Sequence, residues 1–203
     1  MEKRIAVITG ATSGIGAAYA RRFAQEGYDL ILTGRRTDII ESEAEEIRKV
    51  YGTEVEVITA DLSYESETER LVEEIQGKQV EILVNNAGFG VSRLYQDSDL
   101  EIMEQMARLG VLTPMRLIHA VLPGMKESGR GTIINLSSGS IFLLIPGNAV
   151  YSGIKAFLKT FTEGLRLDLA GTGVKVLAVC PDLYGPISMK RWVSVRKDKK
   201  IEA

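Results

Sequence analysis

The sequence has one cysteine, Cys180, and one histidine, His119, among 203 residues. A lone thiol cannot close an internal disulfide, and with a single imidazole it forms no cluster of the kind that holds a metal. No run approaches the roughly 18 consecutive apolar residues of a membrane-crossing helix. The opening "MEKRIAVITG" passes from a short apolar run straight into glycine, without the longer apolar region and cleavage site of a secretory signal. Neither sign of charge is in excess: 25 Lys and Arg against 27 Asp and Glu leave a formal net charge of -2, too little to draw the whole molecule to nucleic acid or an anionic membrane. These absences predict a cytoplasmic protein with no metal, no nucleic acid and no membrane partner.

What is present is the composition of a globular chain, 45% hydrophobic and 26% charged, with length for one sizeable core. Short β-branched runs, "RIAVIT", "YDLILT", "EVEVITA", "VEILVNN", "GTIINLS" and "VKVLAVC", read as six strands buried enough to lose strict polar alternation. Between them lie segments of helical periodicity, among them one long helix from about Leu100 to Glu127 and another in "GNAVYSGIKAFLKTFTEGLRLDLAG". The alternation predicts an α/β fold, a doubly wound parallel sheet of Rossmann type with helices on both faces, because parallel neighbours need right-handed crossovers. One domain over residues 1–186 follows, with a short basic tail at 187–203.

In "TGATSGIG", Gly10, Gly14 and Gly16 fall between the first strand and first helix, with Thr12, Ser13 and Ile15 among them. Glycine lets the backbone turn sharply and approach phosphates, which the free amides at the helix start then face. The same glycines could serve only a tight turn. Their place in the first βαβ unit favours a dinucleotide, although the spacing differs from the commoner fingerprint. At the end of the second strand, "LTGRRTD" carries Arg35 and Arg36 where a carboxylate would select NAD. Guanidinium matches a 2′-phosphate with paired donors, so NADP(H) is the expected cofactor.

Tyr151 and Lys155 in "YSGIK" stand four apart, on one face of a helix. Together with "TGATSGIG", "ADL", "NNAG" and "INLSS" in that order, the motif makes residues 4–181 resemble the short-chain dehydrogenase/reductase family. The resemblance implies catalysis by Ser138, Tyr151 and Lys155, with Tyr151 the general acid in carbonyl reduction. An ordinary tyrosine titrates near 10, and a neighbouring ammonium favours its phenolate. Ser138 would hold the substrate oxygen, and Lys155 the nicotinamide ribose. Asp61 and Leu62 would meet the adenine; Asn86, Ala87 and Gly88 would line the ribose side. A homodimer or homotetramer through helices at about 100–127 and 148–170 is implied as well.

Three features depart from the family pattern. Gly110 stands where an asparagine usually bends a helix and holds a water linked to the lysine. In "CPDLYGPIS", Asp182 replaces a glycine and Pro186 a cofactor-seating threonine, and little follows to form a substrate-covering lid. The leading expectation is a reductase of a ketone or aldehyde, lipophilic if the apolar residues Ile141 to Ile145 face the substrate rather than the core or a subunit contact. The rival is a protein that keeps NADP(H) and has little or no turnover. His119 is expected on a helix, without a catalytic role.

Overall fold

The computed structural model describes residues 4–143 and 145–181. Asp182, Pro186 and the tail 187–203 lie outside the described residues. Six strands, β1 (Ile5–Thr9), β2 (Asp29–Gly34), β3 (Val55–Thr59), β4 (Val80–Asn85), β5 (Gly131–Leu136) and β6 (Val174–Val179), form one parallel sheet in the order β3-β2-β1-β4-β5-β6. The helices are α1 (Gly14–Gln25), α2 (Thr37–Tyr51), α3 (Glu65–Ile75), α4 (Leu100–Ala107), α5 (Thr113–Glu127) and α6 (Ala149–Asp168). The expected Rossmann-type fold is the fold observed.

Strand alternation divides the core. Ala6, Ile8, Leu30 and Leu32 point to one face and pack with Ala20 and Phe23 of α1 and Ile40, Ala44 and Ile47 of α2. Val7, Ile31, Leu83 and Ile133 point to the other, against Leu71 of α3 and Leu117, Val121 and Met125 of α5. Ile40, Ala44 and Ile47 follow the i, i+4, i+7 spacing that makes α2 helical, and Gly52 ends that helix at φ 67 with its amide on the Arg48 carbonyl. On α6 the buried positions include Ser152, Lys155, Leu158 and Thr162, a stripe that places Lys155 against the sheet.

One expectation is corrected. The segment from Leu100 to Glu127 is two helices joined by a π-helical turn at Arg108–Leu112. Pro114 supplies the reason: it has no amide to give to the Gly110 carbonyl, and its ring crowds that carbonyl in a regular α-helix. The wider turn accommodates both defects. Beyond it, Thr113 donates its hydroxyl to the Leu62 carbonyl at 2.9 Å, fixing the start of α5 to the loop after β3.

Candidate active site

The connections of β1 and β4 leave the sheet toward opposite faces, opening a crevice at the carboxyl ends of the strands. A cleft of about 580 Å³ lies there. Of the residues singled out in the sequence, Gly10, Thr12, Ser13, Arg35, Arg36, Asp61, Leu62, Asn86, Ala87 and Gly88 line it. Gly14, Ile15 and Gly16 form the first turn of α1 beside it. Thr33, Phe89 and Leu109 line it too and were not foreseen.

The glycine turn is fastened from β4. Asn86 donates through Nδ2 to the carbonyls of Thr9 at 2.9 Å and Gly10 at 3.0 Å, while the Thr9 hydroxyl accepts from the amides of Asn86 and Ala87. Thr9 went unremarked in the sequence, although its place before Gly10 is the signal. Gly10 adopts φ 67, and a β-carbon there would come within 2.9 Å of Ala87 Cα, so only glycine fits both demands.

The two arginines differ. Arg36 donates to Thr12 Oγ1 at 2.9 Å and Ser13 Oγ at 3.3 Å, which pins its guanidinium to the glycine turn. Arg35 lies 3.7 Å from the Asp61 carboxylate and 5.9 Å from the centre of the Phe89 ring. Asp61 is further held by the amide and hydroxyl of Ser63. The cleft therefore offers cationic donors at its β2 end and free helix-start amides at its β1 end. The buried Thr33 hydroxyl, without a hydrogen-bond partner among the described residues, lines the same space. These residues fit a nicotinamide dinucleotide.

The catalytic candidates gather where β4, β5 and α6 meet. Lys155, 7% exposed, donates from Nζ to the Leu136 carbonyl at 2.6 Å, and the Ser137 hydroxyl donates to the Lys155 carbonyl at 2.7 Å. This reciprocal clasp fixes α6 to the end of β5. Lys155 Nζ stands 5.8 Å from the centre of the Tyr151 ring. A β-carbon on Gly88 would lie 3.4 Å from Nζ, and one on Gly90 would lie 2.8 Å from Tyr151 Cδ2, so the segment after β4 passes directly over both side chains. Ser138, next after the clasp, is buried and accepts from the Ser140 amide at 3.2 Å, which leaves its own proton available to a ligand. Ser137 and Gly90 were missed; the serine doublet in "INLSS" and the "GFG" after "NNA" were their traces.

Burial pushes the Lys155 ammonium down to about 8, with Cys180 acting in the opposite sense. Charge is thus available near neutrality.

Two sequence questions are answered by burial. Phe142 is 72% exposed, and Leu143 and Ile145 are exposed as well, so these three side chains do not pack in the core. Gly110 is buried in the π-helical turn, and a β-carbon on it would overlap Cγ2 of Ile154. An asparagine has no room there while Ile154 keeps its place. His119 lies exposed on α5. Among the described residues no helix is long and apolar enough to cross a membrane, and no group of three or more acidic, cysteine or histidine side chains could hold a metal.

Residues 4–197 match the family model described as short chain dehydrogenase. The chain is 40% identical over 183 residues to sulfoacetaldehyde reductase 2 of Chromohalobacter salexigens, covering 88% of this chain and 72% of that one. Among solved structures, a short-chain dehydrogenase from Sphingobium yanoikuyae in complex with NADPH superposes with a TM-score of 0.84 at 35% identity, covering 89% of this chain and 70% of the other. A bulky-bulky ketone specific alcohol dehydrogenase from Comamonas testosteroni gives 0.86 at 32% identity, covering 90% and 74%. The glycine turn, the cleft and the Tyr151–Lys155 helix thus sit in a framework shared with proteins named as reductases and dehydrogenases, and the chain belongs to the short-chain dehydrogenase/reductase family of oxidoreductases.

Proposed function

We propose that the protein reduces a ketone or aldehyde with NADPH, and that the reverse oxidation of the alcohol uses the same groups. The observation that carries the reading is the placement of Lys155 Nζ 5.8 Å from the Tyr151 ring, beneath the Gly88–Gly90 segment that continues the cleft. Arg36, pinned by Thr12 and Ser13, and Arg35 would hold the 2′-phosphate; Gly10 to Gly16 would face the diphosphate; Asp61 and Leu62 would flank the adenine, and Asn86 to Gly88 the ribose. When bound, the nicotinamide supplies the hydride that adds to the carbonyl carbon.

The protein's own part is the proton. Ser138 donates to the substrate oxygen and holds it toward Tyr151. Tyr151 transfers its phenolic proton to that oxygen as the carbonyl π bond breaks, and the resulting phenolate is stabilised by the Lys155 ammonium. Lys155 then returns a proton to Tyr151.

The exposed apolar side chains of Phe142, Leu143 and Ile145, with Val91 and Leu94 on the facing loop, favour a lipophilic substrate. The two loops are tied by the Arg93 amide on the Gly147 carbonyl at 3.0 Å. Assembly as a homodimer or homotetramer through the helical segments at about 100–127 and 148–170 belongs to the same proposal; exposed Leu100, Ile102 and Phe157 lie on them.

Gly110, which has no side-chain amide, favours a second reading, an NADP(H)-binding protein with little turnover. Absorbance of NADPH followed across a panel of aliphatic and aromatic carbonyls decides between them. Substrate-dependent oxidation supports the reductase; tight nucleotide binding with no oxidation on any carbonyl supports the second reading.

A further inference from the structure

Arg35 and Arg36 are neighbours in sequence and differ in what already engages them. Arg36 gives its guanidinium to two neutral hydroxyls, Thr12 Oγ1 at 2.9 Å and Ser13 Oγ at 3.3 Å. Arg35 is paired with an anion, its Nη1 lying 3.7 Å from Oδ2 of Asp61. That carboxylate is oriented from behind: its Oδ1 accepts from the Ser63 amide at 3.1 Å and the Ser63 hydroxyl at 2.7 Å, which leaves Oδ2 for the arginine. Arg35 follows β2, Asp61 follows β3 on one side of it, and Phe89, whose ring centre is 5.9 Å from the Arg35 guanidinium, follows β4 on the other. All three line the nucleotide cleft. The Arg35 and Asp61 side chains are 61% and 33% exposed, so the pair is of the weak kind that exchanges partners.

We propose that Asp61 is a specificity-determining residue: in the free protein its carboxylate occupies Arg35 as a stand-in for the 2′-phosphate of the nucleotide, and the phosphate must displace it. The proposal rests on the assignment of the cleft to NADP(H). A phosphate meets a guanidinium best through two parallel donors, and the carboxylate that holds Arg35 in another orientation has to give way for that geometry to form. At Arg35 the phosphate therefore gains only the difference between two anions, whereas at Arg36 it meets no rival charge. A nucleotide without the phosphate leaves the Arg35–Asp61 pair in place. Asp61 thereby narrows the preference between the two nucleotides, and Ser63, by fixing the carboxylate, sets how firmly Arg35 is held in reserve.

The test is calorimetric titration with adenosine 2′,5′-bisphosphate and adenosine 5′-monophosphate, which differ only in the phosphate at issue and need no hydride transfer. Asp61→Asn keeps an oxygen for Ser63 and removes the charge. It is expected to tighten the bisphosphate by roughly two- to fivefold relative to the monophosphate, the worth of an exposed ion pair. In an Arg35→Ala background the same substitution is expected to leave the ratio of the two affinities unchanged. A ratio that Asp61→Asn does not move, in a protein that prefers the bisphosphate, overturns the stand-in role and leaves the NADP(H) reading intact. A gain that persists without Arg35 shows the carboxylate repelling the phosphate directly and overturns it as well. A parent protein that binds both probes equally overturns the phosphate assignment and this proposal together.

Discussion

Ser137 and Lys155 exchange places as partners: the serine hydroxyl donates to the lysine carbonyl, and the lysine ammonium donates to the carbonyl of Leu136, the residue before the serine. The arrangement ties the strongly perturbed Lys155 ammonium to the end of the strand that Ser138 follows. It also makes the site's response to substitution and to pH specific.

Tyr151→Phe keeps the ring against Gly90 and removes the proton donor. Turnover should fall by about 10²–10⁴-fold, the usual contribution of a positioned acid, with NADPH affinity unchanged. Steady-state rates and a fluorescence titration check the two halves; a variant that reduces carbonyls at the parent rate removes Tyr151 from the mechanism.

Gly90→Ala tests position rather than chemistry. Its β-carbon would stand 2.8 Å from Tyr151 Cδ2, so the ring must shift. A displacement of that kind costs on the order of 10²-fold in rate. The expected result is a lower kcat with nucleotide affinity retained, and a parent-like kcat would show that the ring has freedom to spare.

Replacing Arg35 and Arg36 with alanine should weaken NADPH by roughly 10–100-fold, the worth of charge-assisted hydrogen bonds to phosphate, and leave NADH nearly unaffected. Parallel fluorescence titrations with the two nucleotides measure it. Equal losses would detach these arginines from the 2′-phosphate.

Lys155 makes stability depend on pH with a definite sign. Its folded-state value is lowered to about 8 from 10.5. Below 8 the ammonium is charged in both states and its burial opposes folding in full. Between 8 and 10.5 the unfolded chain holds a proton that the folded chain has released, so stability rises with pH. Urea unfolding of the parent and of Lys155→Met at pH 7 and pH 10 should therefore show the parent gaining relative to the variant, by up to on the order of 3 kcal/mol. Parallel pH profiles would contradict the depressed value.

A buried chain of amides runs from Asn85 to Asn135 at 2.8 Å and from Asn135 to the Thr162 hydroxyl at 2.9 Å, joining β4 and β5 to α6. Thr162→Val preserves shape and strands the Asn135 amide. A loss of about 1–3 kcal/mol is expected, read as a lower urea midpoint with the cleft still able to bind nucleotide.

The fold was legible because both of its signals are local. Val7 and Ile8 need opposite faces of a strand, and Ile40, Ala44 and Ile47 need one face of a helix, whatever else the chain does. The break at residues 108–112 was not legible as a π-helical turn, because periodicity continues through it, although Pro114 marks the place. The glycine turn and the Tyr151–Lys155 spacing announced themselves through residue type. Their supports did not: the Thr9 hydroxyl, the Ser137 clasp and the pairing of Gly110 with Ile154 depend on side chains brought together from distant segments. The Arg35–Asp61 pair is of the same kind, since each residue was singled out separately and their 3.7 Å approach arises only when β2 and β3 lie side by side.

The widened turn between α4 and α5 has a mechanical consequence. It offsets the angular phase of the rod on either side of residues 108–112, so that α4 lies along α6 while α5 lies along α3 and the sheet. One continuous piece of chain thereby works as a crank with two throws. Deleting a single residue from the turn would bring both throws into line, and one of the two neighbours would lose its apolar counterpart.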